Sequence, residues 1–415
     1  MSRVYFIACS FPPIGRGNSI TNACVANYLA RDFAVRVICM ERGRGFLLSY
    51  QEDKSLEQDL EPSLDVRRVR PAHWCGLNEV LYAAGLLPCY FLNWAWSVWR
   101  RRGELLGGPG TIFAVYPVFS DLVLAGALKR RYGYPLVVDF RDDFSAVMAR
   151  GWRRFLRPLY RRLEGWVAGL ADHVTVTTET LRQDLIARHG LAPGRVSVVY
   201  NVVPVTGHAK WIPGPEGRPR RIVYAGAISR IQRPEILLKA YACLAARRPG
   251  IQRELEVEVY GPESPYFRVA VRKHLCDGTR FGGFLPRARL LERLASADLG
   301  FLSLGDPVYA YATPTKLFEF IELGIPMVAV LPPGAARDLI ERHQLGLVVD
   351  LGDVEGLAAV LEELSCQPAE LARLRANVVG VRPQFRPEQQ LDRWRDILAD
   401  LSSKGDAVAK EEIGI

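Results

Sequence analysis

The sequence predicts an α/β protein made of two consecutive doubly wound domains. The first observation is length, because 415 residues exceed what one hydrophobic core ordinarily supports. The second is that short β-branched runs such as VYFIACSF and PLVVDF alternate with helical patterns, which is typical of parallel sheets. The third is that this alternation lapses into a proline- and glycine-rich segment after Asn201 and then restarts with RIVYAG.

These boundaries predict a Rossmann-like amino-terminal domain over 1–205 and a Rossmann-like carboxy-terminal domain over 216–386, hinged near 202–219. The last helical pattern, at about 387–401, is a candidate to pack back on the first domain. Open α/β sheets bind ligands at the carboxyl ends of their strands. We therefore expect the two domains to face each other across a cleft, with the site residues just after strands.

Composition narrows the class of partner. A net charge of +9 suits nucleic acid, anionic lipid or a phosphorylated small molecule. Nucleic acid is disfavoured, because no basic and aromatic recognition module accompanies the charge. The eight cysteines contain no CxxC pair and have no histidine at metal-ligand spacing, so we expect reduced thiols in the cytoplasm and neither a zinc site nor a disulfide framework.

The uncharged segment from Val80 to Trp99 has three interpretations. Its length and the basic residues after it fit a membrane span. Pro88, Asn93 and the surrounding strand and helix series favour a buried pair of helices instead. Its aromatic side chains also suit a helix that touches the membrane interface.

An arginine-rich stretch follows in MARGWRRFLRPLYRRLEGWVAGLAD. Pro158 predicts two helical pieces or a kink. One interpretation is a core-packed helix with a solvated basic face, and the other is a peripheral anchor to anionic lipid. The predicted apolar stripe consists of Trp152, Phe155, Leu156, Leu159, Leu163 and Trp166.

The strongest candidate site is YATPTKLFEFIELGIPMVAV. Thr313 is predicted to cap a helix that has Pro314 at its first position, so that the amides of Thr315 and Lys316 attract phosphate. Lys316 and Glu319 share one helix face, where the cation suits a diphosphate and the carboxylate suits sugar or ribose hydroxyls. The alternative is an ordinary capped surface helix.

Two glycine-containing loops also follow first strands. Arg230 and Arg233 come after Gly226, in the loop after the first strand of the second domain, where arginine forks can bind phosphate. The alternative is that they are solvated surface arginines. In FPPIGRGNS, Gly15 and Gly17 let the backbone approach a ligand before a helix capped by the following asparagine or serine. This loop is not the GxGxxG pattern of nicotinamide enzymes.

A cluster of charges ends the predicted strand of PLVVDFRDDF. Charged groups where a buried strand opens are costly unless they are paired or used, so Asp139, Arg141 and Asp142 are candidates for the reaction centre, with Asp143 beside them. The alternative is an aspartate–arginine salt bridge that fixes the loop. No second ligand set supports a metal ion at these aspartates.

Over nearly its whole length the sequence resembles the GT4-type retaining glycosyltransferases of the GT-B fold. The motifs that carry the resemblance, in order, are FPPIGRG, VVDFRDDF, LADHVTVTTETLRQDL, VVYN, IVYAGAISR, VYGPE, FGGFLPRARLLERLASADLGFLSL and TPTKLFEFIELGIPMVAV. The resemblance implies a nucleotide-sugar donor bound mainly by the second domain and acceptor recognition by the first. The donor is then a UDP-, GDP- or dTDP-sugar.

The resemblance also implies roles for individual residues. Glu319 matches the second glutamate of the family's glutamate pair, which usually holds the donor ribose, whereas Tyr311 occupies the place of the first. Thr315 and Lys316 match the diphosphate-binding turn, and Arg230 or Arg233 stands near the family's basic pair. The nucleobase is expected to face the backbone of Gly283, Phe284 and Leu285. At the end of the acceptor-side strand, many relatives have His-Asp, whereas this chain resembles the subgroup that has Asp-Phe-Arg-Asp.

We therefore predict metal-independent sugar transfer, in which Lys316 and an arginine neutralise the charge that grows on the leaving diphosphate. No cofactor is expected besides the donor as co-substrate. The acceptor is unknown, with a lipid-linked glycan precursor at the inner face of the membrane as one candidate. Two alternatives keep the architecture: a nucleotide-sugar 2-epimerase and a catalytically silent binding protein.

Overall fold

The computed structural model describes residues 1–15, 17–41, 52–73, 76–84, 86–87, 89–202 and 220–413, with the backbone alone at 79, 83 and 404–413. The chain divides into two compact units. The first consists of Met1–Asn201 with Glu388–Ile415, and the second of Val202–Pro387. The part of the predicted hinge from 203 to 219 lies outside the described residues.

In the described part of the chain, the first unit contains a seven-stranded parallel sheet in the order β3-β2-β1-β4-β5-β6-β7. Its strands are β1 (Arg3–Ile7), β2 (Ala34–Met40), β3 (Asp65–Val69), β4 (Thr111–Tyr116), β5 (Leu136–Phe140), β6 (His173–Val176) and β7 (Val196–Val198). Central strands β4 and β5 are buried along their whole length, as expected for a sheet covered on both faces. The strand order reverses between β1 and β4, which is where such sheets bind ligands.

Helices connect these strands. They are α1 (Gly17–Leu29), α2 (Ser55–Gln58), α3 (Leu77–Ala83), α4 (Leu92–Arg100), α5 (Arg102–Leu105), α6 (Phe119–Tyr132), α7 (Phe144–Met148), α8 (Arg157–Leu170) and α9 (Glu179–His189). A 3₁₀ segment at Gly151–Leu156 precedes α8.

Over the residues that the structure describes, the second unit has a six-stranded parallel sheet in the order β10-β9-β8-β11-β12-β13. Its strands are β8 (Arg220–Ala225), β9 (Leu255–Tyr260), β10 (Thr279–Gly283), β11 (Leu299–Ser303), β12 (Met327–Val330) and β13 (Gly346–Val349). Its helices are α10 (Glu235–Arg247), α11 (Arg287–Ala295), α12 (Thr315–Leu323), α13 (Ala335–His343), α14 (Val354–Cys366) and α15 (Pro368–Val381). Two doubly wound sheets confirm the predicted fold class.

The last helix, α16 (Pro387–Ile413), packs on the first unit. Leu391, Trp394 and Leu398 are buried in the same core cluster as side chains of β1, β2 and β4. The ring of Trp394 lies 6.1 Å from that of Phe113. The chain that leaves the second unit therefore completes the core of the first.

The uncharged segment folds into α3 and α4. Among the described residues, no helix is long and apolar enough to span a membrane. Helix α4 is buried through Trp94 and Val98, whereas Leu77 and Val80 of α3 are more than half exposed. The buried pair is therefore correct for one helix only.

The arginine-rich stretch forms the predicted two pieces, Gly151–Leu156 and α8, and Pro158 lies in the first turn of α8. The apolar stripe is not core, because Trp152, Phe155 and Leu159 are 54%, 65% and 49% exposed. Helix α8 instead buries Tyr160, Glu164, Val167 and Ala168. Periodicity alone therefore selected the wrong face of α8.

Candidate functional site

The candidate site in the second unit is built where the strand order reverses, between β8 and β11. The loop after β8 and the segment after β11 contact each other through the amide of Gly305, which donates to the carbonyl of Ile231 at 2.6 Å. The Ser303 hydroxyl donates to the carbonyl of Gln232. The segment after β11 then leads directly into α12, so both predicted phosphate-binding elements lie at one edge of the sheet.

The start of α12 differs from the prediction by one residue. The helix begins at Thr315, so Pro314 occupies the N-cap position and no side chain caps the helix. Thr313 is therefore not the cap. Its hydroxyl is buried and, among the described residues, has no hydrogen-bond partner. Since buried polar groups are normally satisfied, this hydroxyl is a candidate ligand contact.

Three charged side chains meet beside α12: Lys316 and Glu319 of that helix, and Arg287 of α11. Glu319 is 2% exposed, and its Oε2 lies 2.7 Å from the ammonium nitrogen of Lys316. Its Oε1 accepts a hydrogen bond from Nη1 of Arg287 at 2.8 Å. Burial by itself would raise the pKa of Glu319, but the two cations outweigh it and lower the pKa to about 2. Glu319 is therefore ionised at neutral pH and holds Lys316 in place.

Sequence reasoning missed Arg287. It is the first residue of α11 and is buried, 32 residues before its partner Glu319. In the sequence LPRARLLERLA, nothing distinguishes Arg287 from the other basic residues of an amphipathic helix. The available signal was its position just after the predicted nucleobase turn, at the start of a helix.

The two predicted phosphate-binding arginines have different surroundings. Arg233, at a positive φ of 44°, pairs through Nε with Glu235 at 3.1 Å. Arg230 is exposed. Gly226 is held between strands, since its amide donates to the carbonyl of Tyr260 at 3.0 Å. Arg233 is therefore paired within the protein, whereas the exposure of Arg230 fits either a phosphate-binding or a solvated surface arginine.

The predicted nucleobase turn lies at the end of β10. Gly283 has a positive φ of 69°, a conformation that favours glycine. Phe284 and Leu285 are half-buried and precede Arg287 in the chain. Tyr311 is buried, with its ring 6.3 Å from that of Tyr309.

In the first unit, the glycine loop leads into α1, which begins at Gly17. The predicted cap is wrong, because Asn18 and Ser19 lie inside the first turn rather than before it. Gly15 is half-buried and Gly17 is exposed, with nothing within 4 Å of where a Cβ would stand. No contact with the described part of the chain therefore requires glycine at Gly17.

The charged cluster after β5 separates into distinct roles. Asp139 is fully buried and accepts hydrogen bonds from Nε of Arg141 at 2.8 Å and from the Thr175 hydroxyl at 2.7 Å. Burial raises the pKa of Asp139, and these partners only partly oppose the effect. Asp143 caps α7 and pairs with Arg188 at 2.7 Å.

Asp142, between these two structural carboxylates, is half-buried. The alternative interpretation of this loop was an aspartate–arginine salt bridge. Such a salt bridge exists between Asp139 and Arg141. Within the described ranges, no group of three or more histidine, cysteine, aspartate or glutamate side chains is arranged to hold a metal ion.

Sequence comparisons cover both units. Residues 18–202 match a family model described as a glycosyl transferase 4-like domain, and residues 219–367 match one described as glycosyl transferases group 1. A D-inositol 3-phosphate glycosyltransferase 2 from Catenulispora acidiphila is 26% identical over 79% of this chain and 78% of its own. A D-inositol 3-phosphate glycosyltransferase from Thermobispora bispora is 27% identical with the same coverage of both chains.

Solved structures share the fold. Sucrose-phosphate synthase from Thermosynechococcus elongatus superposes with a TM-score of 0.70 at 14% identity, over 97% of this chain and 100% of its own. Anabaena Alr3699/HepE in complex with UDP-glucose superposes with a TM-score of 0.66 at 15% identity, with the same coverage.

The two family models lie in the order that the motifs predicted, one on each doubly wound unit. The curated relatives are named as glycosyltransferases, which supports sugar transfer over the epimerase and the silent binding protein. The chain belongs to the GT4-type glycosyltransferases of the GT-B fold, enzymes that transfer a sugar from a nucleotide-sugar donor.

Proposed function

We propose that the chain transfers a sugar from a uridine diphosphate donor, whose diphosphate binds at the amino end of α12. The observation that carries the proposal is the cluster in which Lys316 and Arg287 flank the buried carboxylate of Glu319. Uridine is favoured because a structural relative was solved with UDP-glucose. GDP- and dTDP-sugars are the alternative donors.

The cluster provides charge stabilisation without a metal ion. Two cations and one carboxylate leave a net single positive charge, and the helix dipole adds partial positive charge at the same end. Negative charge grows on the diphosphate as its bond to the anomeric carbon breaks. Cations already fixed in position stabilise that charge without reorganising during the reaction. Retention of the anomeric configuration is what the family resemblance implies.

The proposal also assigns roles to the other predicted residues. Arg230 contributes a further cation, and the buried hydroxyl of Thr313 contacts the donor. Phe284 and Leu285 face the nucleobase. On the first unit, Asp142 is the carboxylate assigned to the acceptor hydroxyl, because it follows β5 at the carboxyl edge of the sheet.

The test is release of nucleoside diphosphate from UDP-, GDP- and dTDP-sugars by the full chain. Lys316→Ala is expected to lower turnover by roughly 10²- to 10³-fold, the range seen on removing one donor from an oxyanion hole. Lys273→Ala, at an exposed lysine of the same unit, is the matched control and is expected to retain turnover. Turnover is also expected to persist in EDTA. If Lys316→Ala turns over like the control, the diphosphate site is elsewhere.

The exposed apolar surface of the first unit supports a membrane location for the acceptor. Arg153 joins α3 to the Gly151–Leu156 segment, since its Nη2 donates to the Tyr82 carbonyl at 2.6 Å. Exposed arginines flank this surface at 154, 157, 161 and 162. Aromatic side chains beside arginines suit the headgroup region of anionic lipid. The exposed apolar side chains of this surface are Leu77, Val80, Trp152, Phe155 and Leu159.

Vesicle sedimentation tests this location. The full chain is expected to bind vesicles that contain phosphatidylglycerol and not vesicles of phosphatidylcholine alone. Phe155→Asp should abolish the binding, because it places a negative charge in the apolar contact. Val269→Asp is the control, since Val269 is 74% exposed but lies on the second unit. Equal binding by both variants would contradict the proposed surface.

A further inference from the structure

Arg141 is a buried cation with unused donors. It follows β5 directly and is only 6% exposed. Within the described part of the chain, neither Nη1 nor Nη2 of its guanidinium has a hydrogen-bond partner. A buried charged donor without a hydrogen-bond partner lowers the stability of the folded protein. We therefore expect Nη1 and Nη2 to have a function.

A chain of hydrogen bonds holds the guanidinium in one orientation. Nε of Arg141 donates to Asp139, which also accepts from the hydroxyl of Thr175, the residue opposite it on β6. Thr175 in turn accepts a hydrogen bond from the indole nitrogen of Trp394 on α16 at 3.1 Å. Because the Nε side is engaged, the far edge with Nη1 and Nη2 is the part of Arg141 left for a ligand.

The position of Arg141 also points to a ligand. It lies at the carboxyl edge of the first sheet, the edge at which open α/β sheets bind their ligands. An arginine fork matches the oxygens of phosphate or carboxylate with two parallel hydrogen bonds. Asp139 offsets part of the charge of Arg141, so the pair can stay folded while the site is empty.

We propose that Arg141 binds an oxyanion, a phosphate or carboxylate group of the acceptor, and that Asp139, Thr175 and Trp394 position its guanidinium. This inference rests on the proposed transferase function, because it names the chemical class of that enzyme's acceptor. Arg141 touches the ligand, whereas the other three residues act through Arg141.

The test titrates inorganic phosphate into the full chain in the presence of saturating UDP, and follows the melting temperature at constant ionic strength. Wild type is expected to show a saturable rise with phosphate, and Arg141→Gln is expected to lose it while keeping the response to UDP. Arg154→Gln, at an exposed arginine of the same unit, is the control that should keep both responses. An acetate titration distinguishes a carboxylate site from a phosphate site.

Three further variants keep the test decisive if Arg141→Gln does not fold. Arg141→Lys retains the charge but not the fork, so we expect the half-saturating phosphate concentration to rise at least tenfold. Thr175→Val is expected to weaken the phosphate response, and Thr175→Ser to restore it. Wild-type half-saturation in Arg141→Lys, or in a folded Arg141→Gln, would show that water satisfies the fork and would overturn the inference. Loss of the UDP response in wild type itself would contradict the donor proposal instead.

Discussion

The two units each bury a carboxylate beside an arginine, and the two carboxylates behave in opposite ways. Glu319 has two cations, Lys316 and Arg287, which lower its pKa to about 2 against the effect of burial. Asp139 has one cation, Arg141, and burial raises its pKa. In this pair, the second cation beside Glu319 accounts for the opposite directions of the two pKa shifts.

The difference also separates two uses of arginine. In the second unit, Arg287 completes the neutralisation of Glu319 and so leaves Lys316 fixed at the start of α12. In the first unit, Arg141 uses Nε on Asp139, and its Nη1 and Nη2 have no hydrogen-bond partner among the residues that the structure describes. In the second unit the arginine helps to position Lys316, whereas in the first unit Arg141 is itself the residue proposed to bind a ligand.

Removing the carboxylate of Glu319 should produce the largest effect. Glu319→Ala leaves the buried Arg287 beside a second cation, and breaking a buried ion pair typically costs ~3 to 5 kcal/mol of unfolding free energy. Urea denaturation measures this change. Glu292→Ala is the control on the exposed side of α11, where we expect a change within roughly 0.5 kcal/mol. A small effect at Glu319 would mean that its cations are solvated rather than paired.

The pH dependence of stability should have opposite signs at the two carboxylates. Glu319 has a folded pKa of about 2, below its ordinary 4.5, so its contribution is present above pH 4.5 and is lost as pH falls towards 2. A shift of this size corresponds to on the order of 3 kcal/mol. Unfolding free energies of wild type and Glu319→Gln should therefore converge between pH 6 and pH 3.

Asp139 has a raised pKa, so the sign is reversed: its contribution is present at low pH and is lost as pH rises through the raised value. Asp139→Asn removes this titration and keeps an oxygen for Arg141 or Thr175. The variant should gain stability relative to wild type as pH rises above the ordinary aspartate range. A gain on acidification would contradict the assignment.

The smallest effect on stability is expected at Thr313. Its hydroxyl is buried without a partner among the described residues, so Thr313→Val should change the unfolding free energy by no more than ~1 kcal/mol, and in the stabilising direction. Donor affinity should nevertheless fall in the same variant, because the hydroxyl is proposed to contact the donor. A variant that binds the donor as wild type does would remove Thr313 from the site.

The sequence alone was sufficient for the fold class and placed the start of α12 within one residue, because β-branched periodicity and the Thr-Pro-Thr-Lys stretch are local signals. Arg287 could not be predicted, since its contact with Glu319 depends on how α11 and α12 pack. The exposure of Trp152, Phe155 and Leu159 was missed because periodicity marks an apolar stripe but does not show which helix face packs on the core. The series of hydrogen bonds from Arg141 through Asp139 and Thr175 to Trp394 could not be predicted either. It joins β5 and β6 to the last helix, which are far apart in the sequence.

The most direct test of the central claim is a calorimetric comparison of UDP and uridine binding to wild type and Lys316→Ala. If Lys316 neutralises the diphosphate, wild type should bind UDP at least tenfold more tightly than uridine, a difference of ~1.4 kcal/mol. Lys316→Ala should lose this preference while keeping the affinity for uridine. An unchanged ratio of UDP to uridine affinity in the variant would contradict the account.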